Sequence, residues 1–165
     1  MTNKVLANHS AEDEGSSVKD HGAELSMAAR CVAKILDNDN VVKGLGIRLL
    51  SAEPGRAVLS MTVRADMLNS LQQCHGGMSF TLADAAFACA SVSSNQAGVG
   101  AHAAMDYIRP ALEGDVLCAT ATVRHRGKSA SLVEVVVENQ NGKQVALLHG
   151  RSHNFAQPMI ESNAD

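Results

Sequence analysis

The chain has no tryptophan, one tyrosine and three phenylalanines among its 165 residues. Yet 45% of it is apolar, so alanine, valine and leucine must supply the core. A core so poor in rings gains its contacts through close approach of backbones. Long apolar runs are also missing. None approaches the roughly 20 residues that a membrane helix needs. Charge excess is absent too: 14 basic against 17 acidic side chains leave −3, no electrostatic reason to bind nucleic acid or an anionic membrane. Cys31, Cys74, Cys89 and Cys118 make neither a CxxC pair nor a zinc knuckle. They are expected as free thiols in a reducing compartment, the cytoplasm. The seven histidines form no HExxH set, so no metal site is expected. The first 22 residues lack a continuous apolar segment and carry Glu12, Asp13, Glu14 and Asp20. They read as a disordered polar tail, neither a secretory signal nor a transit peptide.

What remains is one domain over residues 23–157, followed by a short tail over 158–165. Leu25, Ala28, Ala29, Val32 and Leu36 recur at helical spacing and predict a helix over 24–36. Asp37-Asn38-Asp39-Asn40 breaks it. Two strands are expected at 42–52 and 56–64, joined by the turn Glu53-Pro54-Gly55. Residues 76–93 differ in character. Alanine occupies positions 83, 85, 86, 88 and 90, and almost every side is small or apolar. This is the one long central helix, and a helix apolar all round must be wrapped. Beyond it the period switches to two: Leu117, Ala119, Ala121 and Val123 alternate with Cys118, Thr120, Thr122 and Arg124, and Val133, Val135 and Val137 alternate with Glu134 and Glu138, apart from Val136. Turns at 113–115, 126–128 and Asn141-Gly142 (a type I′ signal) divide this half into a meander of about four strands. The expected fold is therefore α+β, a curved antiparallel sheet of about six strands around one helix.

Two local features carry chemistry. His75-Gly76-Gly77 opens the central helix, whose first N–H groups have no intrahelical partner and sit at the positive end of its dipole. Glycine leaves that end open to an anion or a polarised carbonyl oxygen, or simply permits close packing. Asp84 stands in the middle of the apolar helix, where a carboxylate is a poor choice and burial would raise its pKa. Phe80 and Phe87, at i−4 and i+3, share its face. A carboxylate beside rings suits a base or nucleophile acting on an apolar acyl group. Gly76 and Asp84 lie about 12 Å apart along one helix, too far to serve the same carbonyl. Two antiparallel copies would bring each helix start to the other's Asp84. A homodimer with composite sites is expected.

The runs Met67-Leu68-Asn69, Cys74-His75-Gly76-Gly77 and Leu82-Ala83-Asp84-Ala85-Ala86-Phe87-Ala88 resemble the hotdog-fold thioesterases. Asp106-Tyr107-Ile108-Arg109-Pro110, Val123 to Lys128 and Gly150-Arg151-Ser152-His153 extend the resemblance over about 24–155, closest to the PaaI group of acyl-CoA thioesterases of phenylacetic acid degradation. The resemblance implies a hotdog fold, hydrolysis of (aryl)acetyl-CoA thioesters such as phenylacetyl-CoA or its hydroxylated derivatives, and no cofactor beyond the coenzyme A of the substrate. Asp84 would be nucleophile or general base. The Gly76 N–H would polarise the carbonyl from the opposite subunit, with Asn69 and His75 positioning water and substrate. Gly77, Phe80 and Phe87 would line the substrate site, and Arg126 and Lys128 would meet phosphates of coenzyme A. Dimers would pair into tetramers. Two departures stand out. Ser70-Leu71-Gln72-Gln73 replaces the Gly-His of relatives, and the strand after the helix offers only His102 where some relatives have a hydroxyl. The alternatives are an acyl-thioester hydratase or dehydratase, and an acyl-CoA-binding protein without turnover.

Overall fold

The computed structural model describes residues 25–161; the predicted polar tail and the last four residues lie outside that range. The chain runs α1 (Met27–Leu36), α2 (Asn40–Leu45), β1 (Arg48–Glu53), β2 (Arg56–Thr62), a 3₁₀ turn (Ala65–Met67), α3 (Gly76–Val92), β3 (Gly98–Tyr107), β4 (Val116–Arg126), β5 (Ala130–Glu138) and β6 (Gln144–Asn154). All six strands form one antiparallel sheet in the order β1-β2-β4-β5-β6-β3, with α3 packed in its hollow. This is the hotdog fold.

Small residues make the wrapping possible. Ala83, Ala86 and Ala90 of α3 are fully buried, as are Ala57, Ala119, Ala121 and Ala146 of the strands. The one ring within this layer, Phe87, is 2% exposed and lies against glycine backbone. A Cβ at Gly150 would sit 2.7 Å from the Phe87 ring, and one at Gly100 would sit 3.2 Å from it. The aromatic-poor composition thus corresponds to one buried ring seated on glycines, among aliphatic walls.

Several elements depart from expectation. The strand predicted at 42–52 starts only at Arg48, because residues 40–45 are helical. Asp39 Oδ1 accepts the N–H groups of Val41 and Val42, at 2.9 and 3.0 Å. Gly46 closes the helix in the left-handed region at φ 68°, and Arg64 donates to the Leu45 carbonyl. Two good caps outweigh the β-preference of Val41 and Val42. Helix α1 begins at Met27, capped by Ser26, so Leu25 precedes it and is 61% exposed. The C-terminal strands are no simple meander. β4, β5 and β6 pair in sequence, but β3 pairs only with β6 at the far edge, and β4 pairs with β2. The Asn141-Gly142 turn has positive φ at Gly142 alone, so it is not type I′. Asn139 Oδ1 holds it instead, accepting from Asn141 and Lys143. Residues 158–160, predicted as tail, are pinned: Lys34 donates to the Met159 carbonyl and Ile160 N–H to Asn95 Oδ1.

Replacing Gly150 with alanine drives a methyl into Phe87, an overpacked contact expected to cost about 1–3 kcal/mol. Urea unfolding of Gly150→Ala checks this through a lowered midpoint at unchanged slope.

Candidate active site

The start of α3 is built by the loop before it. His75 is the N-cap, and its Nδ1 accepts the Gly77 N–H at 2.9 Å. A backbone N–H can only donate, so Nδ1 is the acceptor and Nε2 is the ring nitrogen left for another partner. His75 N–H donates to Met67 O, and Met78 N–H donates to His75 O, both at 2.8 Å. With Gly77 and Met78 satisfied, Gly76 N–H has no acceptor among the described residues. Gly76 N–H is therefore the donor left open, whereas Gly77 spends its N–H on the cap. Tyr107 holds the next peptide group, Gly76–Gly77: its hydroxyl donates to Gly76 O at 3.2 Å, and a Cβ at Gly76 would lie 3.1 Å from its ring. A side chain at 76 would make the exposed Tyr107 ring give way by a few tenths of an ångström.

Asn69 is bound up in its own loop. Its Oδ1 accepts the N–H groups of Leu71 (2.8 Å) and Gln73 (3.2 Å), shaping residues 69–73. Only its Nδ2 remains for a substrate. Asn69, Gly76, Tyr107 and Arg109 line one cleft of about 270 Å³ at the helix start.

Asp84 lies elsewhere, eight residues and about 12 Å along α3. The sheet leaves this side of the helix open, so in a single chain the carboxylate is exposed rather than buried in the core. It has no hydrogen-bond partner among the described residues. Two clefts meet at it. The first, about 440 Å³, is lined by Phe80, Phe87, Ala88, Gly100, His102 and Ala103 along the outer edge of the sheet. The second, about 220 Å³, lies against α1 and α2. The apolar walls take water from the carboxyl group and raise its pKa, and the negative charge of Asp39 adds to this. Gly76 and Asp84 of one chain line different clefts.

Of the other expected residues, Phe80 is half-buried in the first cleft, while Phe87 offers it little surface because its ring belongs to the core. Arg126 is not a solvated phosphate contact. Its Nη1 donates to Ser91 O (3.1 Å) and Gln96 Oε1 (3.3 Å), and its Nη2 is buried with no partner among the described residues. Burial lowers its pKa. The side chain is turned onto the C-terminal end of α3, where its charge complements the dipole. The reason lies in the following turn, fastened by Asn154 Nδ2 to Gly127 O (3.0 Å) and Ser131 Oγ (2.9 Å). Lys128 in that turn stays outside the core, and the structure brings it to none of the clefts around Asp84 or Gly76.

Comparison with known proteins agrees with this architecture. Residues 71–146 match the Thioesterase superfamily. Over 117 residues the chain is 48% identical to the acyl-coenzyme A thioesterase PaaI of Escherichia coli K12, covering 71% of this chain and 84% of that protein. The chain belongs to the thioesterase superfamily. The solved E. coli PaaI structure superposes with a TM-score of 0.78 at 43% identity, covering 80% of this chain and 96% of that one. A variant of the phenylacetic acid degradation protein PaaI from Thermus thermophilus gives 0.68 at 35% identity, covering 71% and 100%. A protein from Streptococcus mutans, solved with acetyl CoA bound, gives 0.65 at 26% identity, covering 67% and 90%.

Within this thioesterase domain, sequence reasoning passed over two residues. Tyr107 is the only tyrosine and sits in the Asp106–Pro110 run, a signal that lacks a target without the fold. Asp39 stands in a stretch that reads only as a helix breaker. Among the described residues, no cluster of three His, Cys, Asp or Glu side chains is placed to hold a metal ion.

The raised pKa of Asp84 has a consequence for stability. The unfolded chain ionises at this residue at a lower pH than the folded chain. Asp84 therefore costs nothing below its ordinary value of 3.8, and costs stability once pH has risen through its folded pKa. Asp84→Asn is expected to have a higher Tm than the parent at pH 7, the difference closing at about pH 3.5; a series of thermal melts against pH measures it.

Proposed function

We propose that this chain is an acyl-CoA thioesterase that hydrolyses (aryl)acetyl-CoA thioesters such as phenylacetyl-CoA or its hydroxylated derivatives, at sites shared between two copies. The observation that carries the reading is the pairing of an unpartnered carboxylate, Asp84, with an unpartnered helix-start donor, Gly76 N–H, on one helix but out of mutual reach. The E. coli relative's name as an acyl-coenzyme A thioesterase, at 48% identity, supports the substrate class.

In this reading the thioester oxygen rests on Gly76 N–H of one copy and faces Asp84 of the other. Asp84 either removes a proton from water as the water attacks the carbonyl carbon, or attacks that carbon itself to give a mixed anhydride that water then opens. In both, the carbonyl electron pair moves onto the oxygen held by Gly76 N–H, and its return expels the thiolate of coenzyme A. In this reading His75 Nε2 and the free Nδ2 of Asn69 hold substrate or water at the same helix start. The step uses no cofactor beyond the coenzyme A already in the substrate.

The dimer reading draws on β3. This ten-residue strand is paired on one side only, with β6, and leaves its other edge open, with Val99 and Tyr107 exposed along it. A second β3 added antiparallel would satisfy that edge. Dimers would then associate as tetramers. Four free cysteines suit a cytoplasmic location. No described helix is long and apolar enough to cross a membrane.

Asp84→Asn is expected to lower kcat by about 10²–10⁴-fold, the span of a positioned acid–base group. A loss below tenfold, with thiol release followed on phenylacetyl-CoA, would remove Asp84 from the mechanism. Site sharing has its own test. Gly76→Pro deletes the donor at the first helical position, where proline is tolerated, and His75 already has the extended backbone that a following proline demands (ψ 133°). Mixing inactive Gly76→Pro and Asp84→Asn chains should restore about a quarter of parental activity after random subunit exchange, since half the dimers then hold one intact site. No recovery after verified exchange excludes shared sites.

A further inference from the structure

Two clefts open onto Asp84, and they differ in what bounds them. The larger runs along β3, whose free edge is where the second copy sits in the proposed dimer. The helix start that polarises the carbonyl arrives from that direction, so this cleft is taken by the partner and the thioester arm. The smaller cleft lies on the other flank of α3. Ile35 and Leu36 of α1 and Val41 and Val42 of α2 wall it, and Ala85 and Ala88 leave room at its floor. Its volume is about 220 Å³, and an apolar cavity of about 150 Å³ already holds a benzene molecule. A single ring on a short arm fits.

The cleft has one charged group besides Asp84. Asp39 lines it, half-buried, at the start of α2. Its Oδ1 is held by Val41 and Val42 N–H, so the carboxylate cannot swing away, and its Oδ2 has no partner among the described residues. No basic side chain lines this cleft.

We propose that the acyl group occupies the cleft between α1–α2 and α3, and that Asp39 excludes acyl groups carrying a negative charge from it. The inference rests on the thioesterase reading above. An anionic acyl end would lose its water among valine and leucine side chains and meet a fixed like charge, with no cation to offset either cost. A neutral ring meets neither penalty. The residue thus has two roles that can be separated: it caps α2, and it filters the acyl group by charge.

Asparagine caps a helix as well as aspartate but carries no charge, so Asp39→Asn isolates the second role. The experiment measures kcat/KM for phenylacetyl-CoA and for its para-carboxy analogue, with the parent chain and with Asp39→Asn. The parent is expected to favour the neutral thioester by about 100-fold or more, and Asp39→Asn to narrow that ratio about tenfold. Using a ratio removes any general loss of active enzyme. Ala85→Leu fills the cleft without touching the β3 side, and should depress turnover of phenylacetyl-CoA far more than that of acetyl-CoA. An unchanged charge ratio in Asp39→Asn, or equal loss on both substrates in Ala85→Leu, overturns the proposal while leaving the thioesterase reading intact. No turnover of any thioester by the parent chain overturns the thioesterase reading, and the proposal with it.

Discussion

The close approach of α3 to its sheet is the constraint on which the rest of the molecule depends. A helix with no polar face can be buried on most sides only if the surrounding strands come near, and they come near because alanine meets alanine across the gap. The gain is dense packing without large side chains. The cost is that a seventeen-residue helix must keep its two ends satisfied inside a narrow wrapper. His75 and Arg126 answer that need at opposite ends, one accepting from a first-turn N–H and the other donating to a last-turn carbonyl. From sequence, both read as substrate contacts. The structure gives each a prior commitment to the helix.

That commitment bears on the chemistry. Because the imidazole takes up Gly77 N–H, Gly76 is the donor left over, and the helix presents a single aimed N–H rather than a diffuse positive end. Tyr107 holds the adjoining Gly76–Gly77 peptide through Gly76 O. On the open flank, Asp84 has its pKa raised by its neighbours and is bonded to none of them among the described residues. Fold and reactivity are connected here through residues that serve the helix first.

Much of this is legible in the sequence, and the limits have physical causes. The central helix is evident from its alanines, and the strands β4 and β5 from their alternation, because burial on one face writes a period of two. Strand order leaves no such trace: β3 follows α3 in sequence but sits at the far edge, since the pairing partner of a strand is decided by topology and not by its own residues. Helix α2 is hidden because Val41 and Val42 read as strand, and the caps that decide the matter, Asp39 and Gly46, speak only when taken together. Asp84 can be singled out, yet its exposure in one chain cannot be read, because the helical period shows which residues share a face and not whether the sheet covers it. The turn of Arg126 onto the helix end is hidden for a related reason: a basic turn looks solvated until the direction of its side chain is known.

The contact between Phe87 and the backbone of Gly150 also constrains how this core can change over time. The ring fills the space a side chain at 150 would need, and Gly100 flanks it from β3. Neither partner has a neutral single step available: a larger residue at 150 collides, and a smaller one at 87 leaves a void. Exchange requires two substitutions whose separate effects are harmful and whose joint effect is mild. Two positions far apart in the chain are therefore expected to drift as one unit, and a core assembled from small residues is less free to wander than its plain composition suggests.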